Sequence, residues 1–126
     1  MISPAQLQAI AIFECLDEEQ RQRLAERAAD VRLQAGEWLI REGEMPSFFV
    51  LLEGKLQLVK EILGRTQDLG YYEPGAFFGE VPILLGAPSF AAVRATDRSR
   101  VVRFDAQQLF EMIQGSAACS ALICRR

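Results

Sequence analysis

The chain has 126 residues, half of them hydrophobic and a quarter charged, the size and composition of one globular domain. It contains no histidine, which excludes a histidine-held metal, a Ser-His or Cys-His relay and an imidazole pH switch. A net charge of −3, from 14 basic and 17 acidic residues, leaves no global nucleic-acid footprint.

The N-terminus reads as helix. Ser3, Pro4 and Gln6 form a capping-box start with proline at the first helical position. Asp17-Glu18-Glu19-Gln20 starts a second helix, with Asp17 as cap and acidic residues at the positive end of the dipole. It is expected to run to about Ala29, with Leu24 and Ala28 toward the core.

From Val31 to Phe104 the pattern becomes short β-rich runs: Val31–Leu33, Trp38–Ile40, Phe48–Leu52, Lys55–Lys60, Gln67–Tyr72, Phe90–Ala95 and Arg100–Phe104. Glycines at 36, 43, 54, 64, 75 and 86 punctuate them as turn residues. Lys55-Leu56-Gln57-Leu58 alternates polar and apolar, as a half-buried strand does. Seven such runs at short intervals predict a mainly β fold with flanking helices, an antiparallel jelly-roll barrel rather than a βαβ sheet.

A short helix over 79–85 interrupts the runs, stopped by Gly86 and Pro88. Asp105 and Gln108 make a further capping box for a helix carrying Leu109, Phe110, Met112 and Ile113, which Gly115 ends. Ser116 then opens a last helix over Ala117–Arg126, whose apolar face of Ala118, Leu122 and Ile123 has little to cover it. The expected organisation is one domain: a helical segment 1–30, a β-roll 31–104 and C-terminal helices 105–126, the last one truncated. No internal repeat or low-complexity stretch is present.

Charge is uneven. Residues 1–87 carry 8 basic and 14 acidic groups, and residues 88–126 carry 6 and 3. Arg94, Arg98, Arg100 and Arg103 supply much of that excess, either as a solvated strand face or as a contact surface for an acidic partner or neighbouring domain. Cys15, Cys119 and Cys124 are odd in number and contain no C-x-x-C, which suits a reducing, cytoplasmic setting. No signal-peptide pattern opens the chain and no apolar run approaches 18 residues, so neither secretion by signal peptide nor a membrane span is expected.

Gly36-Glu37-Trp38-Leu39-Ile40-Arg41-Glu42-Gly43, Phe48-Phe49-Val50-Leu51-Leu52-Glu53-Gly54, Pro74-Gly75-Ala76-Phe77-Phe78-Gly79-Glu80 and Val93-Arg94-Ala95 resemble, in order, the cyclic-nucleotide-binding domain family. That is the β-roll of catabolite-activator-like regulators, kinase regulatory subunits and gated channels. The resemblance implies a phosphate-binding cassette at Phe78, Gly79, Glu80, Val81, Ser89, Phe90 and Ala91, with Gly79 and Glu80 on the ribose hydroxyl. The family's arginine, nine residues after the glutamate, clamps the cyclic phosphate. Here that position is Ser89. Pro82 lacks the amide that the family offers the phosphate, and Phe90 is bulky where the family has a small residue. Arg94 is five residues past Ser89, but if Val93 faces the core then alternation puts Arg94 outside.

The resemblance therefore implies a regulatory module of a larger protein with a degenerate cassette. Its partners would be a small-molecule ligand and a C-terminal effector domain beyond Arg126, with a homodimer through the last helix. Neither cofactor nor metal is implied, nor direct nucleic-acid contact or membrane. Two parents fit: a transcription regulator with a helix-turn-helix, which would bind cyclic nucleotide, and a bacterial flavin-dependent thioredoxin-reductase-like enzyme, to which this would be a regulatory or scaffold domain. Phe77 to Pro88 resembles the second group. A β-barrel enzyme of the cupin type would need several metal-binding histidines, so the domain itself is expected not to be an enzyme.

Overall fold

The computed structural model describes residues 11–115 and 117–124. The expected capping box at Ser3, Pro4 and Gln6 lies outside them. A 3-10 helix, Ala11–Cys15, leads into α1, Glu18–Arg27. Asp17 Oδ1 accepts from the Gln20 amide at 2.8 Å, and Gln20 Oε1 accepts from the Asp17 amide at 3.0 Å, closing the capping box. The Arg21 guanidinium donates back to the Leu16 and Phe13 carbonyls at the junction, and the Phe13 carbonyl also accepts from the Leu16 amide. α1 ends at Arg27, short of the expected Ala29, because Ala28 is already extended.

Eight strands follow: β1 Ala29–Leu33, β2 Trp38–Ile40, β3 Phe48–Glu53, β4 Leu56–Ile62, β5 Arg65–Tyr72, β6 Phe77–Phe78, β7 Ala92–Ala95 and β8 Ser99–Phe104. They form two antiparallel sheets, β1-β8-β3-β6 and β2-β7-β4-β5, the two layers of the expected roll. β6 was not expected, since two residues carry no periodicity. β4 and β5 are longer than expected because Leu63 and Gly64, both at positive φ, close a tight hairpin of the type I′ pattern. Phe90 and Ala91 fall outside β7.

β3 is buried on both faces. Phe49 and Leu51 join Phe78, Val93, Ala95 and Val101 between the sheets. Phe48 and Val50 point the other way, onto Phe13, Val102, Phe104 and the helices. Phe104 meets Phe13 edge-on at 5.6 Å and Phe48 at 6.1 Å. After α2, Glu80–Leu85, the chain closes with α3, Ala106–Gly115, and α4, Ala117–Cys124. The Asp105–Gln108 capping box forms as expected. Phe110 is exposed, whereas Ile123 is buried, so the last helix is covered at that position of its apolar face. The side chains of Ala118 and Leu122 are outside the described residues.

Cys15 and Cys119 form a disulfide with their Cα atoms 5.1 Å apart, tying the first described helix to the last. This bridge was not expected, and it removes the support that the cysteine count lent to a reducing compartment. Sequence distance hides the pair, which is 104 residues apart. Among the described residues, no helix is long and apolar enough to cross a membrane.

Three of the four arginines of the basic segment divide between the sheets, Arg94 on β7 and Arg100 and Arg103 on β8, while Arg98 lies in the connection between those strands. Arg100 donates through Nε and a terminal nitrogen to the two Asp30 oxygens at 3.0 and 2.9 Å. This hydrogen-bonded guanidinium lowers the Asp30 pKa from 3.8 to about 2, against an opposing push from burial.

Two outcomes follow for stability. The denatured, unreduced protein should show one free thiol by thiol titration, and reduction should lower unfolding free energy by about 2–5 kcal/mol in denaturant melts. Three free thiols would refute the bridge. Because the folded Asp30 pKa is depressed, its contribution is present above about pH 4 and disappears as pH falls through about 2. Asp30→Asn should lack that acid-dependent component and lose about 1–2 kcal/mol at neutral pH, read from melts across the same range.

Candidate functional site

The site begins where β3 pairs with β6, Phe49 opposite Phe78 and Val50 opposite Phe77. The Phe78 ring stacks on Phe49 at 5.4 Å and on Tyr72 at 4.4 Å, making a flat aromatic wall that also fixes the end of β6. Gly79 then takes φ +95°, and a Cβ there would fall 2.0 Å from the Ser47 carbonyl oxygen. Only glycine supplies both the backbone angle and the close approach. Gly79 is thereby the N-cap of α2, which places Glu80 in the first turn, where a carboxylate is favoured by the dipole. Pro82 is buried two residues later, and one of the amides that a helix start leaves free is absent there. Gly86, in the left-handed conformation, ends the helix as its amide and that of Ala87 bond back to Ile83 and Pro82.

These elements border a cleft of about 260 Å³. Every residue expected in the cassette lines it: Phe78, Gly79, Glu80, Val81, Ser89, Phe90 and Ala91. Ser89 is buried, and its backbone exchanges hydrogen bonds with the β2–β3 loop, to the Glu44 carbonyl at 2.8 Å and from the Gly43 amide at 2.7 Å. The position of the family's arginine is thus in the cleft wall, held firmly, and carries a hydroxymethyl group. Phe90 is half exposed at the mouth.

The sequence reading missed Ile40, Leu58, Leu69, Tyr72, Phe77 and Val93 as lining residues. Their alternation marked only which side of a strand is buried. It also missed Lys60. Its Nζ donates to the Phe90 carbonyl at the rim, and a Glu42 oxygen lies 3.6 Å from that nitrogen. Arg94, by contrast, is outside as expected. Val93 is buried between the sheets, and the Arg94 guanidinium donates to Gln57 Oε1 from two nitrogens, at 3.1 and 2.9 Å, on the outer face. The only charged side chain lining the cleft, among the described residues, is Glu80.

The comparisons agree with this geometry. The family model described as cyclic nucleotide-binding domain matches residues 30–116. The cAMP-dependent protein kinase regulatory subunit of Schizosaccharomyces pombe is 31% identical over 118 residues, covering 93% of this chain. The chain spans only 28% of that relative's length. Among solved structures, the sensor domain of the transcriptional regulator DNR from Pseudomonas aeruginosa superposes with a TM-score of 0.86 at 23% identity, covering 96% of this chain and 83% of its own. The regulatory subunit of a cAMP-independent protein kinase A from Trypanosoma cruzi, bound to guanosine, gives 0.81 at 21% identity, covering 95% and 42%. With its two-sheet roll, its glycine-pinned short helix and a family match over most of its length, the chain belongs to the cyclic nucleotide-binding domain family.

Proposed function

We propose that the chain is the regulatory, ligand-sensing module of a larger protein, and that its cassette has lost the phosphate clamp its family uses. It is a binding module rather than an enzyme. The observation that carries this reading is the charge of the cleft: a carboxylate at Glu80 and, among the described residues, no lining cation. A cyclic phosphate entering it would shed water without gaining a counter-charge. An arginine–phosphate bond is worth about 1.5–3 kcal/mol, roughly 10- to 150-fold in affinity. Pro82 removes a backbone donor as well. What the cleft retains is an aromatic wall at Tyr72 and Phe78 and the Gly79–Glu80 pair, which suit a ring and a hydroxyl-bearing sugar.

A second reading, a catabolite-activator-type sensor that does bind cyclic nucleotide, is favoured by Lys60 alone. Its ammonium lies at the Phe90 carbonyl and would have to leave Glu42 to reach a phosphate. In either reading the module acts on a further domain. The two kinds proposed are a helix-turn-helix and a flavin-dependent, thioredoxin-reductase-like enzyme. Intact mass and peptide mapping of the native protein would distinguish them.

Titration calorimetry of the wild-type protein with cAMP and cGMP should give no saturable heat at micromolar concentrations, and tight binding of either would overturn the loss of the clamp. Ser89→Arg should raise cAMP affinity at least about tenfold. Unchanged affinity would place the block at Pro82 and Phe90 instead. Where that variant binds, Glu80→Ala in the same background should abolish ribose-dependent binding, and Lys60→Ala should leave it intact.

A further inference from the structure

The outer face of the β2-β7-β4-β5 sheet carries a row of side chains that the cleft does not use. Strand register aligns Trp38 with Arg94, Arg94 with Gln57 and Gln57 with Tyr71, one from each strand. The Arg94 guanidinium lies 5.5 Å from the centroid of the Trp38 ring, and Arg41 lies 5.3 Å from the same centroid. At the other end, Lys55 Nζ lies 4.6 Å from the centroid of the Tyr71 ring. Lys55 has a carboxylate, Glu73, at 3.8 Å. Arg41 and Arg94 have none within ion-pair distance among the described residues.

Two guanidinium groups therefore share one indole without an anion between them. Gln57 fixes one of them from two nitrogens, so its geometry is set before any partner arrives. The carboxylates of the flanking loops each accept from a backbone amide. Glu37 accepts from the Gln34 amide and Glu44 from the Arg41 amide, while Glu42 accepts from the Glu61 amide and faces Lys60. A local cationic site thus stands on a chain whose net charge is −3.

We infer that this row is a docking surface for an acidic protein segment that brings carboxylates to Arg41 and Arg94. Charge complementarity selects the partner: planar guanidinium groups take carboxylates in paired hydrogen bonds. A nucleic acid fits less well on two counts. Its affinity grows with the number of phosphates neutralised, and only two cations here lack an anion. The aromatic faces that bases would stack on are already approached by Arg41, Arg94 and Lys55.

Trp38 is the single tryptophan of the chain, so its emission reports on this surface directly. The protein is titrated with a short peptide of alternating Glu and Gly, with its Gln counterpart, and with a single-stranded oligothymidylate. Calorimetry is run in parallel. The expected result is a saturable change in Trp38 emission with the Glu peptide alone, weakened by added salt. Arg94→Gln and Arg41→Gln should each weaken that binding at least about fivefold, read by calorimetry, while Arg94→Lys should retain part of it. Circular dichroism melts should match the wild type, which separates lost docking from lost fold. Equal binding of the Gln peptide, no saturable signal from the Glu peptide by either method, or tighter binding of the oligothymidylate would each overturn the inference.

Discussion

The structure depends on one strand that must be apolar on both sides. β3 packs Phe49 and Leu51 into the space between the sheets and Phe48 and Val50 against the helices, and all four are almost fully buried. A strand with two dry faces cannot slip by one residue without exchanging two cores, so the register of β6 and β8 beside it is strongly specified. From that register follow the Phe49–Phe78–Tyr72 stack and the position of Gly79. The helical layer follows as well, since Phe104 and Phe48 provide the surface on which Phe13, Leu109 and Ile123 settle.

The cleft is a by-product of the same packing. Its scaffold is intact: the stacked wall, the glycine that lets β6 approach the Ser47 carbonyl, and the short helix with its capped end. Among the described residues, the one charged side chain lining the cleft is the Glu80 carboxylate. The two properties separate because they rest on different groups. Shape rests on glycine and aromatic residues that the core also demands, whereas charge rests on single side chains, here the carboxylate of Glu80, with an uncharged serine at position 89. The shape of a pocket and its charge can therefore vary independently.

Arg94 and the cysteines show two ways in which spacing misleads. Five residues from Ser89, Arg94 is close along the chain, yet it lies across the sheet from the cleft because strand side chains alternate. Cys15 and Cys119 are distant along the chain, yet they meet because the first and last described helices lie against each other on the same sheet. The basic segment makes the same point. Its arginines are neighbours in sequence, but β7 and β8 belong to different sheets, so one pairs with Asp30 and another sits by Trp38.

Legible along the chain alone were the β-roll, the Asp17 and Asp105 helix caps, the Gly79–Glu80 turn and the serine at position 89. Each of these is written in local signals: periodicity, cap residues, obligatory glycines and the residue at one fixed spacing. The two-residue strand β6, the disulfide, the depressed Asp30 carboxyl and the cation row beside Trp38 depend on tertiary packing. These arise from residues brought together by sheet pairing over tens of positions, and no local pattern encodes which distant partner a side chain will meet. Composition excluded imidazole chemistry at the outset; where the remaining charges came to rest was settled by packing.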